Sequence, residues 1–184
     1  MANGKIAGRD LAYVLSTAIR SEELNADYCM ALCDMAISEN LTGRDLAYVL
    51  STAILDGELN PDDCMAICRM AISENLTGDD LAYVLSTAIR SEELNADDCM
   101  TLCGMAISEN LTGVDLDYVL STAILDGKLN SDDCMLLCGM AISKKLTECD
   151  LAYVLSTAIR DGKLTDPQRG ELKAMASENG VALE

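Results

Sequence analysis

Eight cysteines are the residues whose type and spacing could support chemistry. They form four Cys-Met-x-x-Cys pairs: Cys29 and Cys33, Cys64 and Cys68, Cys99 and Cys103, and Cys134 and Cys138. Residues four apart on a helix share one face about 5–6 Å apart, so each pair could offer two thiolates to one ion. Soft thiolate ligands select Cu(I) and similar ions. A cytoplasmic Cu(I)-type binding protein is therefore one function that the sequence allows.

The same cysteines fit a packing role, and the sequence favours it. Cys29 and Cys33 lie at the centre of an apolar helical arc, and free cysteine is among the most buried residue types. Thiols at equivalent places on stacked helices about 8–10 Å apart would not converge on a tetrahedral zinc ion. The chain also has no His to complete a mixed site. We therefore expect buried cysteines and no cofactor.

The sequence offers no catalytic constellation. Paired carboxylates such as Asp62 and Asp63 stand at predicted helix starts, where the helix dipole explains them. Nothing basic lies beside the paired cysteines to lower a thiol pKa. The ninth cysteine, Cys149, falls in the first turn of a helix, where we expect it to be exposed. We expect a protein that is not an enzyme.

The elements that must position the cysteines are five copies of one block. The phrase DLAYVLSTAI, or a near copy, begins at Asp10, Asp45, Asp80, Asp115 and Asp150, a step of 35 residues. A period of about 20 to 50 residues is the signature of a repeat array. The repeats span 7–41, 42–76, 77–111, 112–146 and 147–181. We predict an all-α, right-handed α-solenoid of five two-helix repeats, forming a single repeat domain over residues 1–184.

The first helix of each block shows an amphipathic pattern. One arc, at about 100° per residue, carries apolar side chains, and the opposite arc carries polar ones. In the second block these are Leu46, Val49, Leu50, Ala53 and Ile54 against Tyr48, Ser51 and Thr52. The tyrosine recurs as Tyr13, Tyr83, Tyr118 and Tyr153. We expect Tyr, Ser and Thr to form one polar ladder along the array.

Local signals predict the helix ends. Thr42, with Asp45 three residues later, predicts a capping box at the start of the first helix. Gly57 is expected to end that helix in a left-handed conformation. Asn60 is expected to cap the second helix, with Pro61 at its first position.

The two ends of the array differ. In the fifth repeat Arg169 and Lys173 replace the two cysteines, as expected of a polar C-terminal cap. This replacement indicates that the cysteines elsewhere face the following repeat. At the other end, residues 11–19 keep the full apolar pattern after a short lead-in, in which Ile6 takes the place of Leu41. We expect the lead-in, a homodimer contact or a further repeat to cover this open end.

Composition limits the partners. The net charge of −18 and the pI near 4.1 remove the electrostatic attraction on which nucleic-acid binding depends, and they disfavour anionic membrane surfaces. No stretch approaches the roughly 18 apolar residues of a membrane span, and no signal peptide is indicated. An odd number of cysteines at helical spacing favours reduced thiols. We expect a cytoplasmic protein that binds neither nucleic acid nor membranes.

The repeats differ most on the arc of the second helix opposite the cysteines. We name this surface the outer arc: Ala31, Asp34, Ala66, Arg69, Thr101, Gly104, Leu136 and Gly139. Solenoids keep a constant framework and vary surface residues to select partners. We therefore expect the outer arc to bind a protein or peptide, with neutral drift at exposed positions as the alternative.

Five helical hairpins of 35 residues resemble the α-solenoids of the tetratricopeptide, pentatricopeptide and HEAT classes. The period, and Tyr118 followed by Gly127-Lys128-Leu129, are similar to the pentatricopeptide pattern, whereas the tetratricopeptide Trp, Gly and Pro markers are missing. Residues 41–63 are also similar to the helical N-terminal segment of anthranilate phosphoribosyltransferase relatives, whose substrate-binding domain has no counterpart here. The resemblance implies a repeat scaffold and transfers no functional residue. The near-identity of the repeats also fits an engineered repeat protein.

Overall fold

The computed structural model describes residues 7–21, 25–144 and 146–183. Over these ranges the chain forms ten α-helices and no strand. The helices are α1 (Gly8–Ile19), α2 (Ala26–Ser38), α3 (Gly43–Asp56), α4 (Pro61–Ser73), α5 (Gly78–Arg90), α6 (Ala96–Ser108), α7 (Gly113–Asp126), α8 (Ser131–Ser143), α9 (Glu148–Asp161) and α10 (Asp166–Glu178). Two helices per 35-residue block confirm the predicted all-α repeat architecture. None of these helices combines the length and the apolar character that a membrane span requires.

The helices group into two compact units that divide between Glu93 and Leu94. In the first unit α3 packs between α1 and α5, and α2 and α4 pack beside these first helices. In the second unit α7 packs against α9, with α6, α8 and α10 beside them. The central element is therefore α3 in the first unit and the pair α7 and α9 in the second. The single domain over residues 1–184 and the right-handed winding stay predictions.

The first helix buries its predicted apolar arc and exposes Tyr48, but the predicted solvent position of its Ser and Thr is wrong. Ser51 and Thr52, expected on the solvent side, are only 1% and 3% exposed. The reason is that α3 is surrounded by α1, α2, α4 and α5. The Thr52 hydroxyl donates to the Tyr48 carbonyl oxygen at 2.8 Å, which satisfies it inside its own helix. The predicted ladder is thus reduced to its tyrosines, which remain partly exposed.

The predicted capping box at Thr42 is also wrong. Among the described residues the Thr42 side chain makes no capping hydrogen bond, and Gly43 after it has a φ of +52°. Asp45 instead approaches the start of the preceding first helix, with Oδ2 3.2 Å from the place that a Cβ on Gly8 would take. A carboxylate is stabilised there by the positive end of the helix dipole. The recurring Asp therefore links neighbouring repeats.

The signals between the two helices were partly correct. Asn60 accepts a hydrogen bond from the Asp63 amide at 3.0 Å, and Pro61 begins α4, as predicted. Gly57 is not left-handed, since its φ is −93°, and Glu58 takes the positive φ of 45° instead. Gly57 is required for a different reason, because a Cβ there would clash with the Ala53 carbonyl oxygen.

Candidate functional site

The eight paired cysteines lie in the core, as the sequence predicts. Each is at most 1% exposed, and all nine cysteines are free thiols. The first cysteine of a pair contacts the following repeat: Cys29 Sγ lies 3.2 Å from the place of a Cβ on Gly57, and Cys64 is hydrogen-bonded to Ser91. This confirms that the pairs face the next repeat. This contact explains why Arg169 and Lys173 can replace the two cysteines in the fifth repeat.

Burial keeps these thiols protonated at neutral pH. Loss of hydration raises the pKa of Cys33 to about 12, with smaller effects of Cys29 and Asp34. The pKa of Cys68 is raised still further, again mainly by burial. Because a metal ligand must be a thiolate, this cost of deprotonation opposes metal binding.

The number of ligands further restricts what a pair could bind. Within the described part of the chain, no three Cys, His, Asp or Glu side chains are grouped so that they could hold a metal ion. The two thiols of a pair do interact, since Cys99 raises the pKa of Cys103 after the larger effect of burial. A pair could therefore hold only an ion that accepts two ligands.

The outer arc lies at the surface of both units. Ala31, Asp34, Arg69, Thr101 and Leu136 are exposed, and Ala66, Gly104 and Gly139 are half-buried. In the first unit α2 and α4 present a carboxylate and a guanidinium on this arc. In the second unit α6 and α8 present an uncharged surface on which the large side chain of Leu136 is 58% exposed. Open space surrounds the two glycines beside it, because no atom lies within 4 Å of a Cβ placed on either.

A second surface runs along the first helices of the first unit. The sequence did not lead us to predict a charged site there. A groove of about 470 Å³ between α1 and α3 is lined by Arg9, Tyr13, Arg44 and Tyr48 among others. Arg20 lies over the Tyr48 ring at 5.5 Å and donates from Nη1 to its hydroxyl at 3.1 Å. The Nε of Arg20 also bonds Asp56 at 3.3 Å. The fixed spacing of 35 residues could have indicated that Tyr13 and Tyr48 line one groove, because it brings equivalent positions side by side.

Apolar side chains of α1 and α2 in the first unit are exposed or half-buried. We name this surface the end face: Leu11, Val14 and Ala18 of α1, and Tyr28, Leu32 and Met35 of α2. Val14 is 55% exposed, whereas the same residue in the other four repeats is fully buried. A groove of about 610 Å³ lies beside it, between Leu11, Met35 and Leu41. The predicted contact of Ile6 lies outside the described residues.

No family model matches this chain, and neither a curated protein nor a solved structure shows significant similarity to it. The helical-repeat architecture therefore rests on the structure itself. The finer resemblances to the tetratricopeptide, pentatricopeptide and HEAT classes, and to the phosphoribosyltransferase segment, gain no support. The site residues consequently have to be interpreted from their own geometry.

Cys149 is the exposed thiol of the chain, as expected from its place in the first turn of α9. It lines a groove of about 510 Å³ in the second unit with Tyr153, Arg160 and Ala182. This groove holds one thiol, one phenol and one guanidinium. The arrangement is open to solvent and lacks a neighbouring base among the residues that line it.

Proposed function

We propose that the chain is a non-catalytic helical-repeat scaffold that binds a protein or peptide through the outer arc. The observation that supports this role is a contrast within the second helices. Cys64, Cys68 and Ala71, which repeat unchanged through the first four repeats, are fully buried, whereas the outer-arc positions, which change in residue type, are exposed or half-buried. A constant core with a variable surface is how solenoids select partners.

The two units offer a partner different chemistry. In the second unit the 58% exposed side chain of Leu136 offers a partner an apolar contact on an arc otherwise made of Thr101, Gly104 and Gly139. In the first unit Asp34 and Arg69 would contribute mainly orientation, since exposed charges add little affinity. The net charge of −18 would steer basic segments toward the surface and repel nucleic acids and anionic membranes. For the second unit taken alone, a short basic peptide with one large apolar side chain fits these properties.

We infer further that a second copy of the chain is among its partners, through the end face. The setting we propose is the reducing cytoplasm, where nine free thiols stay reduced. An engineered repeat module would use the same constant core and variable arc. The same experiment therefore tests the binding role for either origin.

The test of the scaffold role compares two single variants at apolar positions that are both more than half exposed. Leu136→Glu changes the outer arc, and Val114→Glu changes an exposed residue of α7 that lies outside it. Proteins captured from a lysate by the wild-type chain and by Val114→Glu, but lost with Leu136→Glu, would be re-purified and titrated calorimetrically against all three. We expect at least about a tenfold loss of affinity for Leu136→Glu. Equal binding to all three chains would contradict the proposal.

The alternative function is Cu(I) binding by the cysteine pairs. It is supported by the proximity of the two thiols of each pair, and it is opposed by their burial and by their raised pKa values, to which the neighbouring thiol adds. Native mass spectrometry of protein purified under reducing conditions without chelator separates the two functions. Mass increments of one copper ion per pair would favour the alternative, and a bare mass would favour the scaffold.

A further inference from the structure

We propose that the first unit binds the side chain of a lysine from a partner peptide, in a groove between the C-terminal ends of α3 and α5. We name this surface the lysine groove, of about 330 Å³, whose lining includes Ile54, Leu55, Glu58, Leu59, Ser91 and Glu93. None of the outer-arc residues lines it, so this inference does not depend on the function proposed above.

The lysine groove combines an apolar wall with an excess of negative charge. The side chain of Leu55 is 59% exposed and provides the apolar part. The opposite charges of Arg90 and Glu92, which also line the groove, offset each other. The exposed carboxylates of Glu58 and Glu93 are therefore in excess. A lysine side chain matches both properties, because its aliphatic stem packs on apolar surface while its ammonium group stays among polar groups.

The second unit shows how the corresponding place holds an ammonium group. Lys163 stands there at the position of Glu93, and its Nζ donates to the carbonyl oxygen of Ile124. The Oδ2 of Asp161 lies 3.4 Å from the same ammonium group. Ile124 is the counterpart of Ile54, which lines the lysine groove. The second unit thus fills with its own lysine a place at which the first unit has a glutamate.

A second lysine makes the same kind of contact one repeat earlier. Lys128 donates from Nζ to the carbonyl oxygen of Leu94 at 2.9 Å. One repeat before these two residues stand Glu93 and Leu59, and both line the lysine groove. Both positions whose carbonyl oxygens accept a lysine ammonium group in the second unit therefore recur in the lysine groove, where the residue at the donor position is an acid.

The electrostatic setting of this position is equivalent in the two units. Burial raises the pKa of Cys64 most, and the Glu93 carboxylate raises it further. Burial also raises the pKa of Cys134, and there Lys163 acts in the opposite direction. The two side chains act on equivalent thiols with opposite charge. A cation in the lysine groove is further stabilised by the last carbonyl oxygens of α3, which form the negative end of the helix dipole.

The experiment is a titration of the isotope-labelled full chain with N-acetyl-lysinamide, followed by NMR at constant ionic strength. The control probe carries a second acetyl group on its side-chain amine, which keeps the stem and removes the charge. We expect saturable shifts at amides around the groove, such as those of Leu55 and Ser91. The uncharged probe should bind about tenfold more weakly, because charge-assisted hydrogen bonds are the stronger ones.

The variants exchange the charges of the two units. Glu93→Lys copies the second unit and should fill the groove from within, so that probe binding weakens by about tenfold or more. Lys163→Glu makes the converse exchange and should create probe binding near Ile124. Glu93→Gln keeps the side-chain shape and should weaken binding by a smaller factor. The matched control, Glu74→Gln, removes the same charge from an exposed residue outside the groove and should leave binding unchanged. Circular dichroism of each variant confirms that the helices persist.

Several results would overturn the inference. No response of the wild-type chain, or an equal response of Glu93→Lys, would exclude the groove as the site. An equal response to both probes would show that the ammonium group is not recognised. Shifts that weaken equally in Glu74→Gln would assign the attraction to the net charge of −18. Tighter binding of the free diamine cadaverine than of N-acetyl-lysinamide would assign the groove to a polyamine instead of a peptide. Partner binding through the outer arc is tested by its own variants and is unaffected by these results.

Discussion

In the first unit Cys64 faces the carboxylate of Glu93, whereas in the second unit Cys99 faces the ammonium group of Lys128. The outer arcs of the two units also differ. Charged residues occupy the outer arc of the first unit, whereas Leu136 and two glycines occupy that of the second. In both units the paired cysteines are nevertheless buried. The comparison shows that this repeat tolerates a change of charge at its edges while its buried layer is held constant.

The largest expected effect comes from breaking that buried layer. Cys103→Lys would copy into the core the residue that Lys173 provides at the exposed end. Because Cys103 is fully buried, an uncompensated charge there should cost roughly 3–5 kcal/mol of unfolding free energy. The converse variant, Lys173→Cys, should change it by less than about 0.5 kcal/mol. Urea unfolding of both variants measures the difference, and similar losses would show that the two positions are not distinguished by burial.

A smaller effect is expected where the second unit departs from the common pattern at Asp117. Three of the other repeats have a buried alanine here, and burial, then Asp150 and Asp115, raise the pKa of Asp117 to about 6. Because the folded pKa exceeds the ordinary value of 3.8, the folded state favours the neutral acid. The stability from this group is complete below about pH 4 and is lost as the pH rises through about 6.

Asp117→Ala should therefore stabilise the protein at pH 7 by about 1 kcal/mol, a value reduced for solvent screening, and the gain should disappear near pH 4. Thermal unfolding across this pH range measures it. The matching change in the first unit is Ala47→Asp, which should introduce the opposite pH dependence. A gain from Asp117→Ala that is independent of pH would assign the effect to packing rather than to charge.

Exchanging the charges beside the thiols would make one unit resemble the other. Burial first, and the Glu58 carboxylate second, raise the pKa of Cys29. Glu58→Lys should lower this pKa, and Lys128→Glu should raise that of Cys99, because Lys128 now opposes the effects of burial and Asp98. Because a thiol whose folded pKa is raised loses stability as the pH rises above its unfolded value, the free energy of unfolding should fall less above about pH 8.5 in Glu58→Lys and more in Lys128→Glu. Urea unfolding between pH 7 and pH 10 measures this change, and a pH dependence unaffected by either exchange would show that burial alone controls the two thiols.

The smallest effect concerns the tyrosine surface of the first unit. Arg20→Ala removes the contact over the Tyr48 ring and the hydrogen bond to its hydroxyl. Since these groups are largely exposed, the loss should be about 0.5–1 kcal/mol. Tyr48→Phe keeps the ring and should cost less than Arg20→Ala. Thermal unfolding of the two variants compares them, and a larger loss for Tyr48→Phe would assign the stability to the hydroxyl.

The sequence predicted those features that depend on neighbouring residues along the chain. Asn60 and Pro61 fix the start of α4 because capping is local, and the 35-residue period fixes the number of helices. Burial of Ser51 and the approach of Asp45 to Gly8 could not be predicted, since they depend on which side of α3 the neighbouring repeats cover. The candidate site divides in the same way. The cysteine pattern predicted burial, but the residues opposite each thiol became known only from the packing.

The eight paired cysteines belong to the core, and we propose that binding takes place at the surface. The most direct test is mass spectrometry of the native protein after alkylation under reducing conditions, without chelator. We expect one rapid adduct, at Cys149, no bound metal, and eight further adducts only after unfolding. Rapid adducts on the paired cysteines, or copper that protects them, would contradict it.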